Sequence, residues 1–327
     1  MQLIADRWYV VLDSNELGRG EVLGRMRMGQ ELVFWRESSG KAFAARDRCP
    51  HRWTKLSNGK MVGDALQCPF HGFEFEGGGT CTKMPAHPER KISGAMSLTT
   101  LSLREAHGFI WIWTGPSEAP KSDPEFFDFS GYSASGSQLI VPVANSYTRA
   151  VENQLDMTHL PFVHAKSIGR FVKSPAMEVQ TDVDGDVIRM KNSQSDVPGP
   201  EFWGPNIWRL KTGPIWQFLA FVPIDETHMQ YYLRTYQPFA TWEPAAWLIG
   251  KMTAASNDRV VGEDTPMVEG QPKGEVKLAS GEVLVPSDGP IIAYRKWRKD
   301  KRREWPDWDK KASAPNDPPG DPPKEER

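Results

Sequence analysis

From Trp8 to about Gly115 the apolar residues fall into short strand-length runs, WYVVLD, EVLGRMRMGQELVFWRE, KAFAARD, ALQCPFHGFEF and GFIWIW, separated by SSG, SNGK and GGGT. β-Branched and aromatic runs punctuated by Gly-rich turns predict a small all-β domain. The pattern breaks at PSEAPKSDPEFFD, residues 116–128, where Pro and charge mark a connection. Beyond it, Ser146–Leu160 reads as a helix that Pro161 stops. IWQFLAFVPI at 215–224 and MQYYLRTYQPF at 229–239 have the aromatic and β-branched character of a second, larger sheet. A last helix opens with Ser287, Asp288 and Pro290 as its cap and first turn and carries Ile291, Tyr294 and Trp297 at three-residue spacing. The expected layout is a β domain at 1–117, a linker at 118–134, a second domain at 135–305 and a disordered, Pro-rich tail at 306–327.

The length of 327 residues is consistent with two domains, each able to bury a core. With 40 Lys and Arg against 42 Asp and Glu, the chain lacks the cationic excess that nucleic-acid binding requires. No apolar run approaches the roughly 20 residues that cross a bilayer. Asp6 and Arg7 leave no room for a secretory core near Met1, so a reducing cytoplasm is the expected compartment. Three Cys cannot build a disulfide framework, and with seven His they are few enough to plot. Six of the ten fall into two tight groups, while Cys81, His87, His107 and His228 stay scattered.

The first group is Cys49-Pro50-His51 and, after a gap of sixteen residues, Cys68-Pro69-Phe70-His71-Gly72. Each loop offers one thiolate and one imidazole, which suits a two-iron cluster with both sulfurs on one iron and both imidazoles on the other. A Cys2His2 zinc site has the same ligand count and stays open at this point. Four unconnected core residues would not be expected at this spacing in two loops of a β domain. The two motifs resemble the Rieske [2Fe-2S] signature. Thr54 and Phe70 stand where respiratory Rieske proteins carry an extra Cys in each loop, so the resemblance is to the oxygenase type without that disulfide.

The second group lies in VENQLDMTHLPFVH, with Asn153, Asp156, His159 and His164. Residues three apart share a helix face, and a turn at Pro161 returns His164 toward the same point. Two neutral imidazoles so placed suit Fe(II), with a carboxylate from elsewhere completing a facial triad. Alone, two His five residues apart are as easily structural as functional. The segment resembles the N-x-x-D-x-x-H-x4-H motif of Rieske non-haem iron oxygenase catalytic subunits, with Glu152 where many relatives have Asp. Candidates for the third ligand are Asp225, Asp258, Glu263, Asp264, Glu269 and Asp288. GEDTPMVEGQ is similar to the pattern in dicamba monooxygenase, vanillate demethylase and the saxitoxin-pathway hydroxylases, and points to Asp264, with Asp258 as the alternative.

The resemblance spans about residues 5 to 300. It implies an α+β chain, with an N-terminal Rieske [2Fe-2S] domain and a C-terminal helix-grip, START-like antiparallel sheet holding Fe(II). It implies a homotrimer in which Asp156 bridges His71 of one chain to His159 of the next, and a ferredoxin or flavin reductase as electron donor. The activity it implies is insertion of oxygen into a C–H bond of a small molecule, by monooxygenation or oxidative O- or N-demethylation. Two other activities remain open: cis-dihydroxylation of an arene, and electron carriage with a second domain that only binds a ligand. A zinc-stabilised interaction protein is a third. Trp203, Trp208 and Trp216 are either pocket-lining or core, and the run Arg295–Arg303 is either a solvated helix face or a docking site for the donor.

Overall fold

The computed structural model describes residues 1, 3–134, 139–172, 174, 178–192, 199–240 and 242–303. The tail expected to be disordered lies outside them. The N-terminal part forms three small antiparallel sheets. One joins Trp8–Asp13, Phe109–Trp113 and Leu103–Ala106; the second joins Val22–Arg27, Gln30–Arg36 and Ala42–Arg46, the long apolar run being split by a turn at Met28 and Gly29. The third, Lys60–Val62, Ala65–Gln67, Glu74–Phe75 and Cys81–Lys83, carries the second Cys-His loop between its middle strands.

Among the described residues the C-terminal part is one seven-stranded antiparallel sheet with four α-helices: α1 Tyr147–Leu155, α2 Leu160–Val163, α3 Glu243–Glu269 and α4 Gly289–Arg303. The chain is therefore mixed α+β, as its two halves predict. Along the interior strand Ile215–Pro223 the side chains alternate between two cores, as a pleated strand requires. Phe218, Ala220 and Val222 pack with Trp8, Val10, Phe109 and Trp111 of the N-terminal sheet and with Phe127 of the connection. Leu219 and Phe221 face the other way, in the cluster that holds Tyr147, Ala150 and Val151 of α1 and Tyr294 of α4. The sheet is thus sandwiched between the β domain and the helices.

Polar contacts seal the junction between the halves. The buried Asn206 side chain accepts from the Val10 amide at 3.2 Å and donates to the Val10 carbonyl at 3.1 Å. A bulge between Val10 and Leu12 interrupts strand pairing there. Arg234 donates to Asp13 at 2.8 Å and Arg27 to the Tyr232 hydroxyl at 3.2 Å.

Three expectations about helices change. Helix α1 begins after the Ser146 cap as predicted, but it ends at Leu155 with Asp156 as its C-cap. Pro161 does not stop a helix; it sits in the first turn of α2, where its missing N–H leaves nothing unpaired. Asn153, Asp156 and His159 therefore do not share one continuous helix face. The 27-residue α3 is a further difference, because the sequence pattern predicts no helix between residues 239 and 287. Pro266 lies inside its last turns, and the Thr265 hydroxyl donates to the Val261 carbonyl at 2.7 Å in the same stretch.

Candidate metal centres

The two Cys-His loops repeat one backbone design. The Cys49 amide donates to the Thr54 carbonyl at 2.9 Å and the Trp53 amide returns to the Cys49 carbonyl at 2.8 Å. The second loop copies this, with Cys68 to Phe73 at 2.8 Å and Gly72 to Cys68 at 3.1 Å. In both, the residue four after the Cys is left-handed, Gly72 at φ 71° and Trp53 at φ 57°. Glycine adopts that conformation freely; Trp53 adopts it only because the surrounding loop dictates it.

These loops bury Cys49 and Cys68 and leave His51 and His71 exposed, with their Nδ1 atoms 3.2 Å apart. Burial, reinforced by the neighbouring Cys68, pushes the Cys49 thiol up to about 12. A thiol so buried resists ionising unless a cation compensates, and two convergent imidazole nitrogens supply the other half of a donor set. That chemistry fits a cluster held by two sulfurs and two nitrogens. Cys81 lies in the same buried group as Cys49 and Cys68, and its thiol points to the Lys83 carbonyl at 3.6 Å.

The second group is assembled from three elements. His159 caps α2, His164 follows it, and Asp264 comes from α3 about a hundred residues later. One donor atom from each lies within 4.8 Å of the others. Asp264 Oδ1 is 3.1 Å from His164 Nε2 and 3.5 Å from His159 Nε2. His164 and Asp264 are buried, and Asp264 Oδ1 has no hydrogen bond of good geometry among the described residues. Its other oxygen accepts from Gln154 Nε2 at 3.2 Å.

The electrostatics ask for a cation. Burial works against charge on Asp264, but the two imidazoles outweigh it and hold the carboxyl well below the usual carboxylate range. Burial likewise opposes charge on His159, yet Asp156 and Asp264 raise it to about 9. A pair of imidazoles and a buried carboxylate draw a proton when nothing else positive is present, and the same donor set suits a divalent iron.

Asp156 lies beside this group. Its Oδ1 accepts from the Thr158 amide and hydroxyl, both at 2.7 Å, while Oδ2 stands 3.6 Å from His159 Nδ1. Asn153 is near enough to help hold the Asp264 charge, although its buried amide nitrogen has no hydrogen-bond partner among the described residues. Of the other acids weighed for the third position, Asp225 pairs with His228 at 3.0 Å in an exposed turn and Glu269 caps the Ala144 amide at 2.8 Å. Asp288 accepts from the Val285 amide at 2.7 Å. Glu263 contacts His164 from behind, at Nδ1.

A cavity of about 670 Å³ opens over the two His and Asp264, with Met157, Leu160, Trp208, Leu219, Leu233 and Val261 among its walls and Gln217 and Asn257 as polar points. Of the three Trp, Trp208 lines it; Trp203 packs on Phe127 and Trp216 lies beneath Arg209. The helix-borne part of this wall was not legible in sequence. Its signal is the spacing Asn257, Val260, Val261, Asp264, one face of a helix. The basic run is also split: Arg295 and Arg298 are buried and only Lys296 and Lys299 of the central stretch are exposed. Arg295 grips Glu152 of α1 through two bonds of 2.7 and 2.8 Å and reaches Glu282, which also binds Arg149 at 2.6 Å.

Comparison with known proteins matches residues 7–101 to the Rieske [2Fe-2S] domain and residues 143–213 and 206–304 to the vanillate O-demethylase oxygenase C-terminal domain. The vanillate O-demethylase oxygenase subunit of a Pseudomonas strain is 32% identical over 202 residues, covering 60% of this chain and 54% of the relative. Chloroplastic chlorophyllide a oxygenase of Chlamydomonas reinhardtii is 27% identical over 308 residues, 89% of this chain and 47% of the relative. The chain spans about half the length of these curated relatives. Among solved structures, NdmA of Pseudomonas putida CBB5 superposes with a TM-score of 0.77 at 23% identity, covering 91% of each chain. Dicamba monooxygenase bound to dicamba gives 0.73 at 22%, covering 93% and 99%. These two likenesses show the fold.

Proposed function

We propose, from the premise that the chain belongs to the Rieske-type oxygenases, that it is the terminal oxygenase component of an electron-transfer system acting on a small organic substrate. It takes electrons from a separate reductase or ferredoxin and uses O2 to hydroxylate a C–H bond. At an O- or N-methyl group the hydroxylated carbon leaves as formaldehyde. The balance is O2, two electrons and two protons for one hydroxyl and one water. The observation that carries the reading is the convergence of His159, His164 and Asp264 within 4.8 Å beneath an apolar cavity.

Cys49, Cys68, His51 and His71 would hold the [2Fe-2S] cluster, and His159, His164 and Asp264 the Fe(II). Bound there, the cluster stores an electron and the ferrous ion activates dioxygen. The chain's own part is to aim both Nε2 atoms at Asp264, and to shield the site behind Met157, Leu160 and Leu219. Asn257 and Gln217 orient the polar part of the substrate.

We place the chain in a homotrimer, where the exposed His71 of one copy meets Asp156 of the next. The Asp156 oxygen that faces His159 without a hydrogen bond, and the exposed Phe162, Ile168 and Phe171 in the segment that follows, support that contact. That no disulfide joins Cys49, Cys68 and Cys81 suits a reducing, cytoplasmic setting. Among the described residues no helix is long and apolar enough to cross a membrane.

The test is substrate-dependent oxygen uptake with a surrogate reductase, followed by product mass. A gain of one oxygen or a loss of CH2 is expected; two oxygens with two hydrogens would mean dihydroxylation. His159→Ala should keep the visible Rieske spectrum and lose turnover. Full function in that variant would instead make the chain an electron carrier.

A further inference from the structure

We infer that Glu263 is a positioning residue for the metal centre: by accepting the Nδ1 proton of His164 it fixes that ring's tautomer and leaves Nε2 as the donor facing Asp264. The inference rests on reading His159, His164 and Asp264 as ligands. It reassigns an acid that sequence alone places among the candidate ligands.

An imidazole presents one nitrogen as N–H and the other as a lone pair, and an ionised carboxylate can only accept. Glu263 Oε2 lies 2.8 Å from His164 Nδ1, so the proton belongs on Nδ1. The same oxygen accepts from the Ser167 hydroxyl, and Oε1 accepts from Arg259 Nε at 3.4 Å, one helical turn before it. Arg259 also donates to the Lys166 carbonyl at 2.9 Å. The His164 carbonyl in turn accepts the Ser167 and Gly169 amides, each at 2.9 Å. The segment 164–169 is thus tied to α3 at the residue adjoining Asp264, and a shift of either would move two of the three donors together.

His159 is held differently. Its carboxylate neighbour, Asp156, stands 3.6 Å away, beyond hydrogen-bond range, with its other oxygen committed to Thr158. One imidazole is locked within its own chain, and the other keeps a partner that can still be shared.

The experiment uses the full chain with its cluster intact. Fe(II) affinity of the mononuclear site is measured by competition with a ferrous chelator in the unaltered chain, Glu263→Gln and Glu263→Ala. The Rieske spectrum and the thermal midpoint serve as controls of folding. Loss of an outer partner of a metal-binding His costs roughly 10–100-fold in affinity, so Glu263→Gln is expected near the lower figure and Glu263→Ala near the upper. Cobalt(II) placed in the mononuclear site should show shifted ligand-field bands in Glu263→Gln, which a purely structural role would leave unchanged. Affinities within about twofold of the unaltered chain, with unshifted bands, would overturn the inference. If the unaltered chain takes up no iron beyond its cluster, the ligand reading itself fails.

Discussion

The two candidate centres are built on opposite principles. The cluster site comes from two loops nineteen residues apart that share one backbone pattern, with their ligand-type side chains fixed by local turns. The mononuclear site joins a short helix and the loop after it to α3, and its three donors meet only because α1, α3 and the sheet pack together. The first depends on turn chemistry and the second on tertiary packing. Damage to the core should therefore reach the second site more readily than the first.

The largest effect that could break this contrast comes from Asp156, which the proposed assembly makes common to both centres. Asp156→Asn should keep both irons, by metal analysis, yet lower coupled turnover about 100-fold. Normal turnover would remove the bridge and leave the two sites independent.

Phe218→Ala probes the packing side of the comparison. Phe218 is fully buried against Phe109 and Phe126. Its truncation should cost about 3–5 kcal/mol, read by denaturant melting. Melting should remain a single transition, because the residue belongs to a core that both halves share; two separated transitions would show that the halves are independent after all.

The smallest effect concerns the ion pairs that fasten α1 to α4. Burial opposes charge on Glu282, but Arg295 and Arg149 dominate and pull its carboxyl down to about 2. A carboxyl depressed in the folded chain contributes stability above its ordinary value near 4.5, and that contribution is lost as pH falls toward 2. Its side chain is about one-third exposed, 32%, so the contribution is discounted for solvent. Glu282→Gln should lower stability at pH 7 by on the order of 1 kcal/mol and flatten the acid limb of the stability curve between those values. An unchanged acid limb would mean that the pair adds nothing beyond solvation.

The cluster loops were legible because their information is local: residue type, spacing and turn residues all lie within 24 positions from Cys49 to Gly72. His159 and His164 were legible as a pair, but the structure between them was misread, because Pro161 suits a helix start as well as a helix end. Asp264 was reached through resemblance. The helix that carries it has polar and apolar residues on several faces and a Pro near its end, so no clean 3.6-residue stripe announces it. Glu263 looked like any neighbouring acid, since only the fold brings His164 to its oxygen. The basic run is only in part a surface feature for a similar reason: Arg295 and Arg298 are buried against acidic partners distant in sequence, Glu152 at 143 residues and Glu275.

The strand Ile215–Pro223, one face against Val10 and Phe109 and the other against α1 and α4, limits how such a chain can be recombined. A β domain grafted from a relative would have to supply side chains complementary to Phe218, Ala220 and Val222, and a backbone gap at Val10 for Asn206 to fill. A shuffled hybrid that keeps every candidate ligand but ignores this seam would have to rebuild its central core before either candidate centre could take shape.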